Sequence, residues 1–472
     1  MNDGTRVAAG LAPRVGYRMA YIWTISLVAA LGGLLFGYDW VVIGGAKPFY
    51  ERYFQLTSAF ASGWANSCAL VGCLLGAILA GGLSDKYGRK RLLIFAGLLF
   101  LATGIGTALS RTFAEFIVFR MLGGVGIGLA SNISPMYIAE VSPAAVRGKF
   151  VSLNQLTIVI GILAAQIVNW LIAEPVVKDA TDAMIRESWN GQWGWRWMFG
   201  SGTVPAVFFF AAMFFVPESP RWLVKKGRDE RAHAILARIG GAAHADQELA
   251  QIQQTLVNEI DRVDFRELLD PRMLKILLIG VVLAVFQQWC GVNVLFNYAE
   301  EVFRAAGYGV SDIMLNIVIT GSVNLAFTFV AIYTVDRLGR KTLLLAGAAG
   351  LAMIYALVGA CFLLESKGLH VLVLIVSMIA CYSCTLAPVV WVVLSEIFPN
   401  RIRGAAMSVA VFSLWAACFV LTYTFPLLNR GLGPGGTFWI YGVICVLGFL
   451  FIRSRLPETK AKSLEQIERE LA

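Results

Sequence analysis

The sequence predicts an all-α membrane protein of twelve transmembrane helices, arranged as two pseudo-symmetric six-helix bundles with a helical segment between them. Three observations carry that expectation. The 472 residues are 58% hydrophobic and only 15% charged, whereas a soluble domain needs about 25% charged residues to clothe its surface. The apolar residues fall into a dozen blocks of roughly 20, each long enough to cross a hydrocarbon core of about 30 Å. Short motifs of the first half recur in the second at matching positions. The composition excludes a soluble enzyme, a secreted domain and a disordered chain. The block length excludes a β-barrel, whose strands run about 10 residues with alternating polarity.

In order, the spans are expected at residues 20–44, 59–83, 92–110, 114–137, 150–173, 195–216, 274–299, 311–335, 342–364, 369–395, 404–428 and 436–453. The first block is too long for a signal-peptide core and more spans follow it, so it reads as a retained helix. Span 4 admits Arg120 and a glycine run, Gly123–Gly128. Inside a span that run reads as a surface for close helix packing, not as a phosphate cradle. The one long hydrophilic stretch, Pro217 to Arg272, is rich in Ala, Glu, Arg, Gln and Leu and predicts short amphipathic helices. The expected organisation is a bundle over 1–216, a linker over 217–272, and a second bundle with a short tail over 273–472.

The net charge is +9. The basic residues mark loops rather than a nucleic-acid surface. Those after even-numbered spans hold Lys86, Arg89, Lys90, Arg91, Arg147, Lys149, Arg337, Arg340, Lys341, Arg401 and Arg403. The opposite loops are poorer in such residues and mixed in sign. The positive-inside rule then places both termini in the cytoplasm of a multi-pass cell-membrane protein. All eight cysteines lie in or beside apolar blocks, and Cys381 and Cys384 have no second pair, so neither metal nor cofactor is expected. Three histidines, no nucleophile–base pair and no nucleotide loop speak against an enzyme or a primary pump.

The halves repeat. Asp85-Lys-Tyr-Gly-Arg-Lys90 follows span 2 and Asp336-Arg-Leu-Gly-Arg-Lys341 follows span 8. Glu140 precedes Arg147-Gly148 by the same interval as Glu396 precedes Arg403-Gly404. Pro217-Glu-Ser follows span 6 and Pro457-Glu-Thr follows span 12. Two halves of common design suit a secondary transporter with a midplane site. Gly88 and Gly339 permit the tight turns, and the charged residues beside them form a candidate cytoplasmic latch: Asp85, Arg89, Glu140, Arg147, Asp336, Arg340, Glu396 and Arg403. In it, Glu140 is expected on Arg147 and Glu396 on Arg403.

Ionisable residues inside a membrane are costly and usually functional. Asp39 lies late in span 1 and Arg120 early in span 4. A carboxylate paired with arginine stays ionised, and separation favours protonation. Neutral amides are the chemistry of a neutral, hydroxyl-covered ligand, because each both donates and accepts. They are densest in Gln287-Gln288-x-x-Gly291-x-Asn293, where Gly291 allows local unwinding. Trp391 and Trp415 are candidate platforms for the apolar face of a ring.

With these residues in view, the chain resembles the sugar porter family of the major facilitator superfamily, and within it the bacterial pentose–proton symporters. The resemblance is carried by the two Asp-to-Lys loops, Arg120-Met-Leu-Gly-Gly, Pro217-Glu-Ser-Pro-Arg-Trp, Gln287-Gln-Trp-Cys-Gly-Val-Asn293, Ser395-Glu-Ile-Phe-Pro and Pro457-Glu-Thr. It implies import of a monosaccharide with protons by alternating access. It implies Asp39 as proton carrier with Arg120 as partner, and Gln155, Gln287, Gln288, Asn293 and Trp391 at the sugar, to which the residue reading above adds Trp415. The partners are then a monosaccharide, protons and the bilayer; no protein partner is required. Departures include Ile162, Asn297, Leu414 and Cys418 at positions often polar or aromatic, and Gly202 where some relatives carry an acid in span 6. The alternatives are a proton-independent facilitator and a sugar sensor on the same fold, the latter disfavoured by the short stretch from Glu458 to Ala472.

Overall fold

Backbone polar groups inside a bilayer must find partners within their own segment, which leaves helices as the economical solution for this chain. The computed structural model describes residues 16–143, 146–177, 180–258, 270–398 and 403–460, and among them the regular elements are all helical. Spans 1 to 5 are single helices: α1 Met19–Tyr53, α2 Ala59–Tyr87, α3 Arg89–Leu109, α4 Phe113–Val141 and α5 Arg147–Ile172. Ser58 caps α2 by accepting from the Phe60 N–H. Thr112 and Glu115 close a reciprocal capping box on α4. After the short α6, Asp182–Glu187, span 6 is built from a π-helical turn at Asn190–Gly194, α7 Trp195–Ser201 and α8 Thr203–Ala212.

The hydrophilic stretch forms α9 Pro220–Lys225, α10 Asp229–Gly240 and α11 Ala242–Asn258. Trp222, Leu223, Val224 and Ala232 make its small core. The Arg18 N–H donates to the Ile239 carbonyl at 2.8 Å, so the start of α1 is pinned to α10.

Span 7 is broken into α12 Pro271–Trp289, α13 Asn293–Asn297 and α14 Ala299–Ala305. Gly291 sits at φ +86 in the first break, as the glycine there predicts. Spans 8 and 9 are α15 Val310–Leu338 and α16 Arg340–Leu363. Span 10 divides into α17 Leu369–Cys384 and α18 Leu386–Ile397, with Thr385 leaving the helical region at φ −128, ψ −87. Spans 11 and 12 form one helical run, α19 Arg403–Arg455, interrupted at Gly433.

The largest departure from the expected bounds is at the end of α1, which continues to Tyr53 rather than stopping near residue 44. Lys47, Glu51 and Arg52 end the hydropathic signal but not the helix, because Lys47 and Arg52 pair with charges on α14 and Glu51 pairs with Lys47. The glycine run of span 4 packs as expected. A Cβ on Gly124 would fall 1.9 Å from the Ala69 carbonyl oxygen, so α2 and α4 touch backbone to backbone. The first six spans meet the last six where α2 lies on α19, α5 on α15, and α1 on α13 and α14. Exposed apolar side chains such as Phe215, Ile78 and Leu450 cover the outside, where lipid would lie.

Candidate functional site

Asp39 and Arg120 meet. The Arg120 guanidinium donates to the Asp39 carboxylate at 2.8 Å and to the Asp39 backbone carbonyl at 3.3 Å. Arg120 is 2% exposed and lies 5.3 Å from the Phe199 ring centroid. The pair is incomplete, since among the described residues Asp39 Oδ2 and Arg120 Nε have no hydrogen-bond partner. That leaves a carboxylate oxygen free in an apolar setting, with one strong interaction to exchange. Gly202 packs against the Tyr38 ring, whose hydroxyl contacts Ser201 at 2.7 Å. A side chain at position 202 would meet that ring, so Asp39 stands without an acidic neighbour from span 6.

The span-7 amides gather at the break. Gln287 donates to the Ala387 carbonyl of α18 at 3.0 Å, and Asn293 donates to Gln288 Oε1 at 2.5 Å. Gln288 in turn approaches Gln287 Oε1 at 3.4 Å. The Tyr355 hydroxyl takes up the Cys290 carbonyl, one of those freed by the unwinding. Trp289 donates its indole N–H to the Ala417 carbonyl at 3.0 Å, fixing this segment to α19 close to Trp415. Gln155 on α5 and Trp391 on α18 are partly exposed, and among the described residues no hydrogen bond or ring contact joins them to the amide cluster. Asn324 accepts from Ser383 and Asn169 donates to the Val42 carbonyl, so both tie helices together.

The repeated turns are matched in detail. Gly88 (φ +96) and Gly339 (φ +92) open α3 and α16. In the first, Glu218 Oε1 accepts from the N–H groups of Arg89 and Lys90 at 3.0 and 3.1 Å. In the second, Glu458 accepts from those of Arg340 and Lys341 at 2.9 and 3.0 Å. A carboxylate thus occupies each helix N-terminus. The space is available because the turn residue has no Cβ, which would lie within 2.7 Å of the acid in either copy. Burial wins at Glu218 and pushes its carboxyl up despite these donors. At Glu458 burial also pulls upward, but the N–H groups of Lys460, Arg340 and Lys341 outweigh it and hold the carboxyl low. The sequence exposed these two glutamates only as a repeated Pro-Glu-Ser/Thr; their role needed the fold.

Arg89 reaches Glu140 at 2.9 Å and Asp85 at 3.2 Å, and Arg340 reaches Glu396 at 3.1 Å. The expected Glu140–Arg147 pair is not the one formed: Arg147 lies 4.0 Å from Glu248 of α11. Helix α5 begins at Arg147 and directs it to the linker, while Arg89 occupies the Glu140 side. Asp85 also meets Lys225 of α9 at 3.2 Å. The Asp336 and Arg403 side chains lie outside the described part.

A polar network that the sequence did not suggest closes the opposite end. Lys47, 2% exposed, contacts Glu51 at 2.9 Å and Glu301 of α14. Arg52 pairs with Glu300 at 3.0 Å and with Asp182 at 2.8 Å. A cleft of about 460 Å³ lies over these groups, bordered also by Arg186 and Arg304. The Val176 N–H donates to Ser311 nearby, joining the stretch after α5 to α15, and Arg430 donates to the Thr57 carbonyl. These hydrogen bonds and ion pairs between the first and last six spans all lie away from the basic turns.

The model of the family described as "Sugar (and other) transporter" matches residues 25–471. The chain is 39% identical to the D-xylose-proton symporter of Escherichia coli (strain K12), over 96% of each chain. It is 37% identical to the arabinose-proton symporter of Bacillus subtilis (strain 168), over 99% of each. Among solved structures, the inward open conformation of the xylose transporter XylE from E. coli superposes with a TM-score of 0.82 at 38% identity, covering 95% of this chain and 100% of that one.

Proposed function

Because this chain belongs to the sugar (and other) transporter family, we propose that it imports a monosaccharide together with protons across the cell membrane by alternating access. The observation that carries the proton is the half-satisfied Asp39–Arg120 pair, the junction of α1 and α4. Arginine does not deprotonate at any relevant pH. Asp39 is therefore the group that titrates, bound to Arg120 when ionised and released when a proton replaces the guanidinium. Gln287, Gln288 and Asn293 receive the sugar's hydroxyls, with Trp415 offering an apolar face, and Gln155 and Trp391 close in as the halves move.

The basic turns face the cytoplasm in this reading, with both termini on that side. The Lys47–Glu301 and Arg52–Glu300 pairs then hold the outer face shut, which agrees with the resemblance to an inward open relative. The inner latch comprises Asp85, Arg89, Glu140 and Arg147 with their counterparts Asp336, Arg340, Glu396 and Arg403. Proton-independent facilitation is the second reading, favoured by the absence of a side chain at Gly202 beside Tyr38.

Purified protein in liposomes decides between them. An imposed inward proton gradient should drive accumulation of labelled D-xylose, D-glucose or a related polyol above equilibrium. Asp39→Asn should abolish accumulation and preserve exchange. Accumulation by Asp39→Asn under the same gradient moves the proton site elsewhere, and gradient-independent equilibration by the unaltered protein favours the facilitator.

A further inference from the structure

Helix α1 carries Phe36 and Trp40 four residues apart, on one face. Both are partly exposed inside the protein, and both touch Trp415 of α19. The centroid separations are 6.4 Å for Phe36–Trp40, 5.9 Å for Phe36–Trp415 and 5.9 Å for Trp40–Trp415. Interplanar angles of 85°, 53° and 63° are those of edge-on and tilted rings, the favourable aromatic arrangement. The three rings therefore form a continuous wall between the first and last six spans, with no gap between them for a ligand. Two residues past Trp415, the Ala417 carbonyl holds Trp289, the neighbour of Gln288. The helix that carries Trp415 is thus tied by a hydrogen bond to the segment that carries the amides.

Trp40 differs from the structural tryptophans. Trp195, Trp222, Trp289 and Trp439 each donate their indole N–H to a backbone carbonyl. Among the described residues the Trp40 indole has no such acceptor, although its rings are packed. Its backbone is also tied to the charge pair: Arg120 donates to the carbonyl of Asp39, the residue before it.

The geometry points to Trp40 as a specificity-determining residue, a wall that limits the length of the sugar and selects five-carbon over six-carbon rings. This rests on the reading of the chain as a monosaccharide carrier. D-Xylose and D-glucose form a matched pair of pyranoses, differing by one hydroxymethyl group. A rigid indole denies that group room, so the discrimination is steric. A site that hydrogen-bonds the shared hydroxyls through Gln288 and Asn293 gains nothing from the extra carbon.

The test is equilibrium binding of D-xylose and D-glucose to the detergent-purified protein by calorimetry, with Trp40→Ala and Trp40→Phe. The unaltered protein should prefer D-xylose. Trp40→Ala should raise the glucose-to-xylose affinity ratio tenfold or more, and Trp40→Phe should fall between. A packing role alone lowers both affinities together and leaves their ratio fixed. A ratio unchanged within twofold in a folded variant that still binds sugar overturns the assignment of Trp40 while sparing the carrier reading. If Trp40→Ala fails to fold, the ratio in Trp40→Phe decides in the same way. Failure of the unaltered protein to bind any monosaccharide overturns the carrier reading, and this inference with it.

Discussion

Replacing Lys47 by methionine should open the outer face. Lys47 is 2% exposed and Glu301 is 27% exposed, so their pair stands between two regimes. A solvent-exposed pair contributes about 0–1 kcal/mol, and breaking a fully buried one costs about 3–5 kcal/mol. An intermediate figure of about 2–3 kcal/mol is reasonable here, because the remaining carboxylates of Glu51 and Glu301 lose their shared cation. In the proposed cycle the contact exists only while that face is shut. Its loss therefore shifts the closed-to-open ratio by about 30- to 150-fold, at roughly 1.4 kcal/mol per tenfold. Hydrogen exchange read by mass spectrometry reports this directly, since 293–305 seals against α1. In Lys47→Met, exchange over that segment should accelerate, with the α3 and α4 core unchanged. The double variant Lys47→Met, Glu301→Met should be less than additive. Unaltered exchange over 293–305 in folded Lys47→Met would falsify the idea that this pair holds the outer face closed.

Gln288→Ala should weaken monosaccharide binding by about 1–3 kcal/mol, because it leaves sugar hydroxyls and Asn293 without their partner; calorimetry against D-xylose measures it. Glu396→Gln removes the charge facing Arg340 and should change protease accessibility at the basic face, and an unaltered digestion pattern would leave that acid a folding role only. Glu458 has a lowered carboxyl value, so its stabilisation is complete above the ordinary carboxylate value of about 4.3 and fades as pH falls through the folded value. The melting-temperature gap between the unaltered protein and Glu458→Gln should be widest at neutral pH and shrink on acidification below about pH 4. Glu218 has a raised value, so its contribution is present at low pH and is lost as pH rises through the folded value. Glu218→Gln should accordingly be the milder change at neutral pH.

What the sequence made legible was whatever depends on neighbours along the chain. Span length and hydropathy placed the helices, and Gly291 marked a break because only glycine takes its φ freely. The Asp39–Arg120 meeting was legible for a different reason: two opposite charges isolated in apolar spans have few other ways to be satisfied. The outer network was hidden. Lys47 and Glu301 are far apart in sequence, and each reads alone as the charged end of a span. The break at Thr385 was equally hidden, since nothing in Cys384-Thr-Leu distinguishes it from helix. Arg147 shows the limit of motif spacing. The interval from Glu140 is duplicated at Glu396 and Arg403, yet in the described half the guanidinium turns to Glu248.

The tight reversal at Gly433 within α19 has a practical corollary for anyone labelling this protein. Between Arg430 and Thr437 the chain reverses on Gly433 alone, with Pro434 beginning the return and the Thr437 hydroxyl bonded to the Gly433 carbonyl at 2.8 Å. Arg430 is simultaneously anchored to the Thr57 carbonyl. There is no slack here for an epitope, a fluorescent reporter or a nanobody loop; any insertion lengthens one of two packed spans and turns its faces out of register.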